Sequence, residues 1–275
     1  MSRYPRTFLF RAAYQLSWML IATLGLYSGV HAAQLKQLSL ATSEDFAPYV
    51  YFSTSGELRG IDYDIVREIF RRLDIQLKVS LLPRRRITKM LLNGELDGVI
   101  STTSYNDATA LQQMWQSQPM YQSSVVIFSS KNNTADLDKT YRNHQFLPTG
   151  GGKVGLLETF DYSPMGQNNV SNMTQNAIIV RTDSQLVKLL LSARISYAIT
   201  EDISFSYQAR KAGKLQDFNN LEEVFTRPVN VALHADIITR HPELTDKLNH
   251  TIDRLVKEDF IAKTIYQYLK LEDES

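Results

Sequence analysis

Apolar residues in the first hundred positions follow two periods, one typical of strands and one typical of helices. Leu77, Val79 and Leu81 alternate with polar residues, whereas Ile65, Ile69 and Leu73 recur at helical spacing. The pattern predicts, in order, a strand at 38–42, a helix that includes Phe70, a strand at 77–81, a helix through Ile87, Met90 and Leu91 that ends at Gly94, and a strand at 97–100.

A second series of alternating elements follows a predicted strand at 124–129. Two amphipathic helices then close the chain, the first beginning at Pro242, a residue favoured in a first turn. Strands and helices joined by short connections imply an α/β protein with mostly parallel sheets, here two similar lobes, the second inserted in the first. The other elements are strands at 153–157, 178–180 and 197–200, a helix at 184–191, an alternation of Val229, Val231 and Leu233 after Arg227 and Pro228, and closing helices striped by Leu244, Leu248, Ile252 and Leu255 and by Phe260, Ile261, Ile265 and Leu269.

The first 32 residues have the three parts of a secretory signal peptide. Arg3, Arg6 and Arg11 make a basic start, residues 16–26 are mostly apolar, and small residues follow at 29–33. We expect cleavage after Ala32 and export. An uncleaved anchor is the alternative, because residues 12–35 contain no Lys, Arg, Asp or Glu and are long enough to span a bilayer.

The composition argues against nucleic-acid binding and against a fold that depends on disulfides. Without residues 1–32, 27 of the 30 basic residues remain against 29 acidic ones, so the chain is not suited to neutralising nucleic-acid phosphates. The sequence has no cysteine, so the fold does not depend on disulfides. The length fits one large domain or two small ones and can bury a sizeable core.

Six segments, in order along the chain, resemble one family. They are FAPYVYFSTSGELRGIDYDIVREIF (46–70), LLNGELDGVIS (91–101), SQPMYQSSVVIF (117–128), KVGLLETF (153–160), LLLSARISYAITED (189–202) and the closing helix pair (241–269). The chain resembles the type II periplasmic solute-binding proteins, specifically extracellular solute-binding family 3, which binds polar amino acids for ABC importers. The match covers nearly all of the chain after the signal segment.

This resemblance implies a two-lobed periplasmic-binding-protein type II fold, an α/β architecture hinged by two crossover strands. We expect lobe 1 at 33–128 and 229–275 and lobe 2 at 129–228, with crossover strands near 124–129 and 227–231. The implied function is capture of a small polar solute by a periplasmic monomer that delivers it to an ABC-transporter permease. No cofactor, metal or nucleic acid is implied.

The loop after the first strand is the first candidate for ligand contact, because open α/β sheets bind ligands beyond the carboxyl ends of their strands. Asp45 and Phe46 follow that strand directly, and Pro48 stiffens the loop. Phe46 offers a stacking surface, or alternatively belongs to the core. We expect Asp62 and Asp64 to cap the first helix rather than contact ligand.

The resemblance also places site residues in the first lobe. After the third strand the family has small polar residues and then Thr-x-x-Arg, whose arginine clamps a ligand carboxylate. Here Ser101, Thr102 and Thr103 supply hydroxyl groups, as ligand contacts or as ordinary strand-end caps. Thr109 stands where the family has the arginine, so the clamp is missing. Arg86, in the triplet after Pro83, is the expected substitute, the alternative being three solvated arginines.

In the second lobe, Glu201 occupies the place of the family's ammonium-binding Asp, and Thr159 and Phe160 lie at the turn that opens the lobe. Catalytic motifs are missing: the sequence has neither a cysteine nucleophile nor a His-Glu-x-x-His helix nor a Gly-x-Ser-x-Gly elbow. Two other functions stay open. A dehydratase on this fold needs a cleft acid with a raised pKa, for which Glu201 is the candidate, and a sensory module would report ligand occupancy to a membrane receptor.

Overall fold

The computed structural model describes residues 35–43, 46–101, 108–137, 140–146, 152–158 and 160–270. The strands are β1 (Gln37–Ser43), β2 (Tyr51–Phe52), β3 (Leu58–Arg59), β4 (Gln76–Leu82), β5 (Gly98–Val99), β6 (Met114–Gln116), β7 (Tyr121–Ser130), β8 (Tyr141–Arg142), β9 (Gln145–Phe146), β10 (Val154–Leu157), β11 (Ala177–Val180), β12 (Tyr197–Glu201), β13 (Phe218–Val229) and β14 (Ala232–His234). The helices are α1 (Ile61–Arg72), α2 (Arg84–Leu92), α3 (Ala108–Leu111), α4 (Gln167–Thr174), α5 (Asp183–Leu191), α6 (Asp202–Lys211), α7 (Ala235–Arg240), α8 (Glu243–Lys257) and α9 (Phe260–Lys270).

The first sheet has the order β4-β1-β5-β14-β6. Strand β1 pairs in parallel with β4 and β5, whereas β14 is antiparallel to both β5 and β6. The sheet is therefore mixed, and the expectation of a mostly parallel sheet applies only to the part that contains β4, β1 and β5.

The second sheet repeats this design in the order β11-β10-β12-β7-β13. Strand β10 is parallel to β11 and β12, and β7 is antiparallel to β12 and β13. Strand β7 is buried on both faces: Val125 and Ile127 contact one hydrophobic cluster, and Val126 and Phe128 contact another. This explains the continuous apolar run, which a strand covered on one side only would not need.

The two sheets are joined where β7 and β13 begin and end. Ser117 donates its backbone N–H to the Val231 carbonyl at 2.9 Å, and Met120 donates to the Val229 carbonyl at 2.8 Å, so the two crossings run side by side. All of β7 belongs to the second sheet, and the boundary expected at 128/129 therefore lies inside this strand. This is the two-lobed, twice-crossed architecture of the type II periplasmic binding proteins.

Two local expectations were wrong. Asp62 and Asp64 do not cap α1, because the helix begins at Ile61 and the flanking residue is Gly60, with no capping side chain. Both acids instead lie in the first turn, where a negative charge interacts favourably with the helix dipole. The long strand β13 was expected only from Arg227 onward.

Within the described residues, none of the helices is both long and apolar enough to cross a membrane.

Candidate functional site

A tight turn follows β1 and places two aromatic rings at its carboxyl end. Phe46 and Val50 exchange backbone hydrogen bonds of 2.7 and 3.0 Å, and the Phe46 ring stacks on Tyr49 with centroids 5.2 Å apart. Phe46 is half-buried, whereas Tyr49 is fully buried. Burial raises the pKa of the Tyr49 hydroxyl, and the carboxylates of Glu201 and Asp62 nearby raise it further. The residue that extends from this turn toward the second lobe is thus Tyr49.

Asp62 brings a carboxylate into the same region from the first turn of α1. Its side chain is fully buried, and its Oδ1 accepts a 2.5 Å hydrogen bond from the hydroxyl of Tyr121, the first residue of β7. Burial raises the pKa of Asp62 to about 6, although hydrogen bonds from Ser101 and Tyr121 oppose the shift. Asp62 therefore connects the first helix to a crossover strand.

Glu201 brings the second carboxylate from the other lobe, at the end of β12. It is 2% exposed, and burial raises the pKa of its carboxyl group while the Arg227 guanidinium opposes that shift. The Arg227 Nη2 atom lies 3.3 Å from Glu201 Oε1, and the guanidinium carbon lies 4.7 Å from the centroid of the Phe160 ring. Arg227 thus contacts two of the residues that the sequence placed in the site.

These groups form one cluster between the lobes, which we call the interlobe cluster. Four of its buried polar atoms have no hydrogen-bond partner within the described residues: Tyr49 Oη, Asp62 Oδ2, Ser123 Oγ and Glu201 Oε1. The Tyr49 and Ser123 hydroxyls lie close enough to Glu201 to oppose the rise in the pKa of its carboxyl group. A buried polar atom left unpaired costs about 1–3 kcal/mol, so the cluster favours a molecule that can pair with these atoms. Its members are Tyr49, Asp62, Tyr121, Ser123, Glu201 and Arg227.

A second group of side chains connects the lobes beside the cluster. The Tyr51 ring lies 6.4 Å from the ring of Tyr207 in α6 and 6.4 Å from that of Tyr268 in α9. The Tyr268 hydroxyl accepts a hydrogen bond from the Gly60 N–H at 2.9 Å and donates one to Asp64. The last helix therefore holds the start of α1, and the aromatic rings link that region to the second lobe.

The structure brings together some of the predicted site residues. Glu201 is a member of the interlobe cluster, Ser101 and Phe160 contact other members of it, and Phe46 stacks on Tyr49. Arg86 is exposed in the first turn of α2, and no contact among the described residues joins it to the cluster, so its role stays a prediction. The remaining predicted residues lie outside the described part of the chain: Asp45, Thr102, Thr103 and Thr159.

Of the six members of the cluster, the sequence analysis placed only Glu201 in the site: Asp62 was expected to be a helix cap, and Ser123, Tyr49, Tyr121 and Arg227 were missed. Tyr49 is the second aromatic residue of the Phe-Ala-Pro-Tyr segment, and Tyr121 begins β7 two residues after Pro119, so both belong to motifs that the sequence analysis had already recognised. Arg227 carried no such signal. Its position follows from strand register, because β13 pairs it with Ser123 of β7. Among the described residues, no group of three His, Asp or Glu side chains could hold a metal ion.

Two lobes that enclose a buried, incompletely paired polar cluster define a solute-binding protein. Residues 38–270 match the bacterial extracellular solute-binding proteins, family 3, and the chain belongs to that family. Its function is accordingly the capture of a small solute, as the motif resemblance implied.

Individual relatives are distant. The histidine-binding periplasmic protein of Escherichia coli strain K12 is 20% identical over 259 residues, which cover 94% of this chain and 96% of that protein. An amino acid ABC transporter substrate-binding protein from Streptococcus pneumoniae bound to L-arginine has a TM-score of 0.60 at 20% identity, with 85% of this chain and 94% of that one covered. A histidine kinase sensor domain with similarity to periplasmic binding proteins has a TM-score of 0.62 at 15% identity, with coverages of 86% and 97%. The two structures share the fold.

Proposed function

We propose that the protein captures an amino-acid-like solute between its lobes, at the interlobe cluster. The observation that carries this proposal is the set of four buried polar atoms that lack a well-formed hydrogen bond within the described residues, one of which, Glu201 Oε1, is in an ion pair with Arg227. A solute that pairs with atoms of both lobes gains interactions only when the lobes are together. It therefore stabilises the closed state by its differential affinity for that state.

Charge narrows the solute class. Asp62 and Glu201 contribute two carboxylates to the cluster, and Arg227 contributes one guanidinium, so its formal charge is negative by one. A buried site with this charge favours a solute whose net charge is positive. Cationic amino acids fit this requirement, and two of the similar proteins bind histidine or L-arginine.

A thermal-shift screen of the chain without residues 1–32 tests the proposal. The panel contains amino acids, polyamines, carboxylates and small sugars. We expect L-arginine, L-lysine or L-histidine to raise the melting temperature, and Glu201→Gln to reduce that shift because it removes a cation partner. Glu95→Gln, at an exposed residue of the first lobe, is the control and should leave the shift intact. Stabilisation by neutral sugars alone would contradict the proposed ligand class.

The cellular role follows from the same proposal. The protein is exported to the periplasm by its signal peptide, acts as a monomer and delivers its solute to an ABC-transporter permease. N-terminal sequencing of the periplasmic protein tests the cleavage, and a first residue of Met1 in the membrane fraction would contradict it. Because a sensor domain shares the fold, uptake of radiolabelled L-arginine by cells with and without the gene distinguishes import from sensing.

The proposal also states that the protein binds its solute without converting it chemically. The sequence lacks a cysteine nucleophile and the motifs of zinc peptidases and serine hydrolases. Glu201 does have the raised pKa that a general acid requires, so turnover is the measurement of interest. We expect L-arginine and L-histidine to be recovered unchanged, by mass spectrometry, after prolonged incubation with the protein. A product that forms with the wild type and not with Glu201→Gln would support the dehydratase alternative instead.

A further inference from the structure

Two side-chain contacts hold Arg227 in the second lobe, within the interlobe cluster. It is the third residue from the end of β13, its guanidinium stacks on the Phe160 ring, and one nitrogen faces Glu201. The side chain is 15% exposed, so most of its surface is removed from water. A guanidinium fixed by an aromatic face and a carboxylate loses little further freedom when it binds another group.

The guanidinium has more hydrogen-bond donors than it uses. An arginine side chain carries five N–H donors. Within the described part of the chain, its one polar contact is with Glu201 Oε1, at 3.3 Å. This contact is an ion pair but does not form a well-aligned hydrogen bond. Desolvated donors without acceptors are costly, and a carboxylate satisfies two of them at once through parallel hydrogen bonds. Arg227 therefore offers what an anionic group needs.

The first lobe lacks the usual partner for such a group. At the family's carboxylate-clamp position the sequence has Thr109, which carries no charge. Arg86, the alternative expected from sequence, is exposed on α2. Arg227 is the charged donor that contacts both Phe160 and Glu201, on the opposite lobe from the missing clamp.

We propose that Arg227 is the anion-binding, specificity-determining residue of the site. It binds the carboxylate of a cationic amino acid, and Glu201 binds the ammonium group of the same solute. The solute's carboxylate and ammonium groups therefore lie between the Arg227 and Glu201 side chains. This rests on the proposed function, the capture of an amino-acid-like solute in the interlobe cluster. It assigns the carboxylate to the second lobe and makes a carboxylate a requirement for tight binding.

Three pairs of compounds that differ only by a carboxylate test this assignment: L-arginine and agmatine, L-histidine and histamine, and L-lysine and cadaverine. Titration calorimetry is run on the wild type, Arg227→Gln and Arg227→Lys. The control is Arg181→Gln, which breaks a 3.2 Å arginine–glutamate pair of the same lobe whose arginine is 82% exposed. Melting temperatures without ligand report whether each variant folds.

We expect at least one amino acid to bind the wild type about thirtyfold or more tightly than its amine, the low end of what a desolvated charge pair contributes. Arg227→Gln should remove that preference: the amino acid weakens at least about thirtyfold, while the amine binds unchanged or more tightly because Glu201 is released. Arg227→Lys should recover part of the preference, since it keeps the charge but not the parallel bonds. Arg181→Gln should match the wild type.

Other outcomes separate the two proposals. If none of the six compounds binds the wild type, the proposed ligand class is wrong. If an amino acid binds but its amine binds equally well, the site has no anion subsite and the inference fails. If Arg227→Gln weakens amino acid and amine by the same factor, Arg227 is a structural partner of Glu201. Should Arg227→Gln not fold, Arg227→Lys decides: unchanged preference for the carboxylate would overturn the assignment.

Discussion

Asp62 holds an ionisable carboxylate in a fully buried position, and this has a consequence for stability. Its pKa rises from 3.8 to about 6, so between these pH values the folded protein binds more protons at this residue than the unfolded chain does. The free energy of unfolding that Asp62 contributes therefore falls as the pH rises through this window. At ~1.4 kcal/mol per pKa unit, the ionised residue costs about 3 kcal/mol above the window.

We expect Asp62→Asn to remove this pH dependence. Asparagine keeps an acceptor for the Tyr121 hydroxyl but does not ionise. Its melting temperature should equal that of the wild type near pH 4 and exceed it increasingly toward pH 7. Asp246→Asn, at an exposed residue of α8, is the control and should give a curve parallel to the wild type. The idea fails if the Asp62→Asn curve is parallel as well.

Gly60 is required by space as well as by backbone conformation. Its φ is +133°, and a Cβ there would lie 2.2 Å from the Tyr49 carbonyl oxygen. Gly56 provides a matched control, because its φ is +81° but a Cβ would meet nothing within 4 Å. Gly60→Ala should therefore destabilise the protein by about 2 kcal/mol or more beyond Gly56→Ala, in chemical denaturation. Equal losses would show that the loop shifts to accept the extra methyl group.

The sequence alone could predict the position of those candidate site residues whose place is fixed by local motifs. Ser101 directly follows a short apolar strand, and Glu201 ends one, so their positions at a sheet edge could be read from neighbouring residues. Arg227 could not, because its partners are set by the register of two strands about one hundred residues apart. Asp62 was misjudged because an acid near a helix start satisfies the capping pattern whether or not its side chain bonds to the backbone.

At the scale of elements, α5 shows what a fully formed cap contributes. The Thr182 side chain accepts from the Gln185 N–H at 3.3 Å, and the Gln185 side chain accepts from the Thr182 N–H in return. Asp183, the first helical residue, is buried and accepts bonds from Thr200 and Ser204 at 2.5 and 2.6 Å. The start of α5 is thereby attached to β12 and α6, the two elements that meet at Glu201.

We expect Thr182→Ala to lower the free energy of unfolding by about 1 kcal/mol, the usual contribution of a helix cap. Thr182→Ser keeps the accepting oxygen and should lose only a fraction of that. Urea denaturation of the three proteins measures both effects. A loss of the same size in both variants would mean that the threonine methyl group, rather than the cap, is what stabilises this end of the helix.

Elements with two covered faces were easier to predict than edge strands. The run through Val125 and Phe128 is continuous because β7 contacts hydrophobic clusters on both sides. Strand β13 lies at the edge of the sheet, and most of its side chains are at least partly exposed. Its residues therefore lack the apolar alternation by which a strand is recognised in a sequence. The strand is evident only from its pairing with β7.

For the whole molecule, the two-lobed order could be predicted because each lobe repeats the same sequence of strands and helices. The contacts between lobes could not, because they join residues distant in sequence. Tyr51 and Tyr207 are an example, with ring centroids 6.4 Å apart across the lobes. An aromatic pair contributes about 0.5–1.5 kcal/mol beyond area burial.

We expect Tyr207→Ala to shift the lobes toward an open state. Losing the ring pair corresponds to a two- to tenfold change in the ratio of closed to open molecules, at ~1.4 kcal/mol per factor of ten. Small-angle X-ray scattering without ligand should then give a larger radius of gyration. Tyr266→Ala removes a ring that is 57% exposed and is the control. No change in Tyr207→Ala would mean that other contacts hold the lobes together.

The crossing of β7 and β13 also determines where motion between the lobes is best observed. Arg227 lies two residues before β13 ends, close to the axis about which the lobes would turn. Strand β11, three strands away from β7, lies about 14 Å farther out at ~4.8 Å per strand. A rotation of the lobes that hardly displaces the bound solute thus produces a larger displacement at β11. Leu92 and Ile179 are exposed, and the chain has no native thiol. Single cysteines at these two positions would therefore accept spectroscopic labels directly. The distance between the two labels would change measurably on a small rotation of the lobes.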